Sequence, residues 1–179
     1  MPFKELMYGL LLPGMLIPIQ TGCSEPNRAG VKQPTSEQVM LILRGVANSH
    51  NPRGQLDDWS ALDYARRAGF RGEVLDVAGN PSSDSEQVRI AIELIRHNES
   101  ISAIYGFSGG GYNARLIWQQ LTPTERDRIR TVVVVGSPGV VQSDFAGTSE
   151  VVIKPDPPEG HMAGPKSLLQ SLGPEEIIQ

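Results

Sequence analysis

"ISAIYGFSGGGYNARLIWQQL", residues 101–121, passes from an apolar run into a helical pattern through a serine set among glycines. "ISAIYGFS" reads as a strand and "GGYNARLIWQQL" as a helix. Between them, Gly106, Ser108 and Gly110 form G-x-S-x-G. A serine raised on a sharp strand-to-helix turn must accept unfavourable backbone angles. Its neighbours must be nearly free of side chain for strand and helix to pass closely. The hydroxyl then stands at a helix N-terminus, where backbone N–H groups and the helix dipole stabilise a developing anion. The N–H of Gly109 is the first such donor. A phosphate-cradling loop also joins strand to helix, but "GFSGGG" lacks the lysine of G-x-x-x-x-G-K-[ST]. It misses G-x-G-x-x-G as well, because Ser108 takes the second glycine's place. A purely structural turn is the remaining rival.

Outward from this turn, two hydrophobic periods alternate. "VMLILRG" (39–45) is an apolar run ending in glycine, and "LDDWSALDYARRAG" (56–69) is helical, with Gly69 where a C-cap belongs. "GEVLDVAG" (72–79) is a short strand. "SSDSEQVRIAIELIRHNES" (82–100) has a Ser/Asp start and an apolar stripe at Val88, Ala91, Ile92 and Ile95. Beyond residue 121, "RIRTVVVVGSPG" (128–139) is the strongest strand signal. "EVVIKPDPP" (150–158) and the amphipathic "GPKSLLQSL" (164–172) close the series. Strand alternating with helix predicts an α/β fold, a three-layer sandwich with a mainly parallel sheet of about five strands. Ligands in such sheets bind beyond the carboxyl ends of the strands. That selects the loops 46–54, 79–83, 107–111 and 156–161. Trp59, Tyr64 and Trp118 fall on helical faces and are expected in the core.

The chain has 179 residues, enough for one domain with a core of its own, and its 39% hydrophobic and 20% charged content is ordinary for a globular protein. A net charge of −4 with dispersed basic residues gives no footprint for nucleic acid. One cysteine, Cys23, excludes internal disulfides and a cysteine-based zinc cluster. Lys4 followed by "LMYGLLLPGMLIPI" (6–19) reads as an export segment, too short for a bilayer span and broken by Pro13 and Pro18. "QTGC" after it resembles a bacterial lipobox, with Gln20 where Leu, Val or Ile is usual. Residues 1–23 are thus expected to be a signal peptide or membrane anchor, 24–37 a polar linker, and 38–179 the folded domain. Export, with or without attachment to a membrane, is the expected fate, and a cytosolic protein that buries this segment is the alternative.

A serine hydroxyl is a weak nucleophile and needs a base, usually a histidine held by a carboxylate. Of three histidines only His161, in "PDPPEGHMAGP", follows Ser108. It lies in a loop at the same end of the sheet, so its ring is expected within hydrogen-bond reach of the Ser108 hydroxyl. His97, near a helix C-terminus, reads as structural. His50 is a loop residue near the mouth of the site. Tyr112 and Asn113 either touch substrate or pack the helix.

With this serine turn on the third of five strands, the chain from about Val39 to Leu169 resembles the α/β-hydrolase family, in a small member without a cap. By that resemblance Val39–Arg44, Glu73–Val77, Ile101–Gly106, Thr131–Val135 and Val151–Lys154 correspond to the family's third to seventh strands. The family order of Ser, then Asp or Glu, then His implies Ser108 as nucleophile, His161 as base and Asp156, at the end of the last strand, as acid. Glu159 and Asp144 compete for the last role. The family's second oxyanion donor comes from the loop after its third strand, here Val46 or Ala47, beside Gly109. The function implied is a serine esterase acting on a small-molecule ester or acyl substrate, with no cofactor and no metal. The alternative is a non-catalytic exported protein that retains the fold.

Overall fold

The computed structural model describes residues 38–46 and 52–173, with the side chains at 52–54 and 56 left aside. Five strands form one fully parallel sheet: β1 (Val39–Leu43), β2 (Arg71–Leu75), β3 (Ile101–Phe107), β4 (Thr131–Val135) and β5 (Glu150–Lys154). Five α-helices alternate with or follow them: α1 (Pro52–Arg67), α2 (Glu86–His97), α3 (Gly109–Gln120), α4 (Pro123–Arg128) and α5 (Gly164–Ser171). Across the sheet the order is β2-β1-β3-β4-β5. The sheet winds outward in both directions from the β1/β3 junction, which is the switch point where ligands sit in open α/β sheets.

Strand pleating explains the core. Successive residues of a strand point to opposite faces, and alternate residues of the central strands fall into two apolar clusters. Leu41, Ile104 and Val132 pack with Ile92 of α2 and with Ile117 and Trp118 of α3. Met40, Ile42, Tyr105 and Val133 pack with Tyr64 of α1 and Leu168 of α5. All seven residues of β3 are buried. Burying each large aliphatic side chain contributes about 1.5–3 kcal/mol, so the central strands carry much of the stability. The outer strands β2 and β5 are only partly buried and carry Arg71, Glu73, Glu150 and Lys154, charges that discourage edge-to-edge pairing.

Register brings the strand ends level. Leu43 pairs with Gly106, Phe107 with Val135, and Val135 with Lys154. The loops that follow β1, β3, β4 and β5 therefore emerge side by side.

Three details depart from the sequence reading. Helix α1 starts at Pro52 rather than near Leu56, because proline suits a first helical turn whose N–H would be unpaired in any case. The second strand ends at Leu75, short of Val77, and α4 had not been expected. Its signal lies in "TPTE": the Thr122 hydroxyl accepts from the Glu125 N–H, and the Glu125 carboxylate accepts from the Thr122 N–H at 2.6 Å. Trp59 is 76% exposed, contrary to expectation, whereas Tyr64 and Trp118 are buried. The face of α1 that meets the sheet carries Ala61, Tyr64 and Ala65, and residue 59 sits about 200° around the helix from residue 61.

The export segment, the linker, Cys23, Ala47 and His50 lie outside the described residues. Among the described residues no helix is long and apolar enough to cross a membrane.

Candidate active site

Ser108 links β3 to α3 with φ 54° and ψ −118°, and is the only non-glycine residue at positive φ among those described. Such geometry costs on the order of 1–3 kcal/mol and persists only where the surroundings impose it. Here they do so through the backbone. The Ser108 N–H donates to the Val135 carbonyl at 2.9 Å, and its own carbonyl accepts from the Gly111 N–H at 3.0 Å and from the Ser137 hydroxyl at 2.7 Å. Ser137 was not singled out in the sequence, where it fell at the tail of the strand signal "RIRTVVVVGSPG".

The glycines around the serine answer to close packing. A β-carbon on Gly109 would collide with the Gly79 carbonyl, and one on Gly110 with the Leu43 carbonyl. Gly111 has its own reason: a β-carbon there would strike Ser137 and stand 2.7 Å from Val134 Cγ1. Helix α3 therefore starts pressed against the ends of β1 and β4.

His161 opens a short 3-10 turn, His161–Ala163, in the loop after β5. Its Nδ1 lies 2.7 Å from Asp156 Oδ1, with the two side chains 40% and 35% exposed. The imidazole also stacks on Phe107, the residue before Ser108, with ring centroids 5.0 Å apart and an interplanar angle of 23°. Gly136, at the end of β4 with φ 61°, lies against the pair. Asp156 and His161, five residues apart, thus meet within one loop. Nδ1 is engaged by the carboxylate, which leaves Nε2 as the nitrogen able to exchange a proton.

Ser108 and His161 line one cavity, with about 480 Å³ of empty space counted out to the solvent at its mouth. Contrary to the expectation of a direct contact, no hydrogen bond joins the Ser108 hydroxyl to the imidazole. The ring is instead seated by Phe107 and Asp156. Val46 also lines the cavity, and Gly45 packs on the serine: a β-carbon at Gly45 would lie 3.1 Å from Ser108 Cβ. The other acid candidates are elsewhere. Asp144 accepts from the Val141 N–H at 2.9 Å and caps the turn Gln142–Phe145, while Glu159 is exposed in the loop between Asp156 and His161.

Tyr112 and Asn113 pack the helix. The Tyr112 hydroxyl donates to the Pro138 carbonyl at 2.6 Å, and buried Asn113 donates to Gln87 Oε1 at 2.8 Å. Gln87 in turn donates to the Val77 carbonyl at 2.7 Å, tying α3 through α2 to the loop after β2. His97 Nδ1 lies 2.8 Å from the Glu93 carbonyl in the last turn of α2, a structural contact.

The cavity also holds residues that the sequence reading passed over. Asp57, from α1, faces it in a position where burial, and then the nearby Asp58 carboxylate, push its pKa up to about 6 against a smaller opposing pull from His161. Asp58 is neutralised by Arg44, whose Nε donates to it at 2.9 Å and whose guanidinium also pairs with Asp76. Tyr105 closes the wall, fully buried, and burial raises its pKa far above the ordinary phenol value. "LDDWSALDYARR" gave Asp57 no mark beyond a charged helical position. Among the described residues, no group of three or more His, Cys, Asp or Glu side chains is placed to hold a metal ion.

No protein-family model matches the chain, and comparison with curated proteins gives no match.

Proposed function

We propose that the protein is a serine hydrolase that cleaves an ester or related acyl bond, built as a small α/β-hydrolase-like three-layer sandwich. The observation that carries this is the conjunction of a serine at φ 54° on a strand-to-helix turn with a carboxylate-bound histidine in the same cavity. The Ser108 hydroxyl attacks the substrate carbonyl while His161 Nε2 takes its proton and later returns it to the leaving group. Asp156 fixes the tautomer through Nδ1 and stabilises the imidazolium as it forms. The Gly109 N–H, at the first position of α3, meets the developing oxyanion, and Val46, which lines the same cavity, would supply the second donor. Apolar clusters on both faces of the sheet support the three-layer reading.

The missing hydrogen bond between Ser108 and His161 favours the alternative, a non-catalytic domain of the same fold. Catalytic hydrogen bonds are often long in unliganded sites and tighten when substrate binds. The strand order β2-β1-β3-β4-β5 is also that of flavodoxin-like sheets, which bind a nucleotide cofactor at the same switch point. Such a module has no use for an Asp156–His161 pair. A fluorophosphonate probe and p-nitrophenyl acetate separate these readings. Labelling of Ser108, with ester cleavage that Ser108→Ala abolishes, supports the hydrolase; an unlabelled serine in folded protein and no cleavage refute it.

A further inference from the structure

Two polar groups in the cavity have no partner and no part in the acyl-transfer step. Among the described residues, the half-buried Asp57 carboxylate makes no hydrogen bond or salt bridge within the protein. The Tyr105 hydroxyl is buried and likewise has no hydrogen-bond partner. Both line the cavity that contains Ser108 and His161. Buried polar groups are nearly always satisfied, so the orphaned Tyr105 hydroxyl, with the unpartnered Asp57 carboxylate acting on it in the same cavity wall, marks a place where a ligand completes the bonding.

The charge balance says which kind of ligand. Arg44 is shared between Asp58 and Asp76. With Asp57 the group holds three carboxylates to one guanidinium, and Asp57 is the one left uncompensated. Around it the lining is apolar, with Ile42, Ala61, Phe107 and Met162. An anion or a plain alkyl chain gains nothing from Asp57, and an anion is repelled. A primary ammonium on a short aliphatic stem satisfies every group present. Its N–H donors suit the Asp57 carboxylate and the unpartnered Tyr105 oxygen behind it, and its methylenes suit the apolar wall.

We propose that Asp57 and Tyr105 form a subsite for a protonated primary amine, making the substrate an amine-bearing ester or acyl compound. This assignment of substrate class rests on the hydrolase reading above. The ammonium subsite itself is testable without turnover.

The test titrates n-butylammonium, n-butanol and n-butanoate into the full chain at pH 7.5, followed by NMR line positions and calorimetry. The same titrations are run on Asp57→Asn and Tyr105→Phe, alongside fluorophosphonate labelling of Ser108 in the wild-type protein. The expected result is n-butylammonium binding at least tenfold tighter than n-butanol, with n-butanoate weakest. That preference disappears in Asp57→Asn and shrinks in Tyr105→Phe. Equal affinity for the three compounds, or a preference unchanged in Asp57→Asn, overturns the subsite even if Ser108 is labelled. Failure of labelling with the ammonium preference intact overturns the hydrolase reading alone.

Discussion

Gly136 lies against His161 so closely that a β-carbon on it would stand 3.0 Å from the imidazole Nδ1 and 2.7 Å from Asp156 Oδ1. The glycine at the end of β4 thereby defines where the Asp156–His161 pair, the proposed acid and base, can rest. Gly136→Ala must displace the pair and also force alanine to φ 61°, at a cost of roughly 1–2 kcal/mol. We expect kcat/KM for p-nitrophenyl acetate to fall at least tenfold, and the urea midpoint to drop modestly. Unchanged kinetics would show that the pair is not the working acid and base.

Ser108 holds backbone strain that glycine would not. Ser108→Gly should remove the nucleophile and raise stability by about 1 kcal/mol, the relieved strain less the added chain entropy of glycine. Chemical denaturation beside an activity assay reads both. A destabilised variant would mean that the serine side chain contributes more than its dihedral angles cost.

Asp156 and Asp144 are separated by what each accepts: one from an imidazole, the other from a backbone N–H. Asp156→Asn should lower kcat by 10²- to 10⁴-fold, in line with loss of the tautomer-fixing carboxylate. Asp144→Asn should leave kcat within about threefold. The reverse ranking in steady-state kinetics would reassign the acid.

Asp57 makes stability depend on pH in an unusual direction for a carboxylate. Its pKa is raised to about 6 in the folded protein, above the unfolded value, so the folded state holds the extra proton between about pH 4 and pH 6. Stability falls as pH rises through that window, and the full penalty is present above it. Discounted by about half for partial solvent screening, the penalty is about 1–1.5 kcal/mol. Asp57→Asn should therefore raise Tm by about 3–5 °C at pH 8 and leave it unchanged below pH 4. Equal effects at both pH values, in a calorimetric scan, would contradict the burial of this carboxylate.

The parallel five-stranded sheet was legible because the chain alternates its periods without interruption, from "VMLILRG" to "EVVIKPDPP". The serine turn was legible too, since G-x-S-x-G states its backbone needs in residue types. Trp59 misled because a helical spacing does not say which face meets the sheet. Ser137, Gly136 and Asp57 were invisible for another reason: each acquires its role from a neighbour 20 or more residues away, fixed only when the strand ends come level. The charge on Asp57 mattered only once Arg44 was found committed to Asp58 and Asp76.

Asp156 and His161 ride on a single loop after an outer strand, their side chains seated by each other, Phe107 and Gly136. Their fates are joined. An opening of that one loop removes acid and base in the same event, while the fully buried central strands stay closed. Heating should thus extinguish catalysis in one step, at a temperature where the sheet still protects its amide hydrogens from exchange.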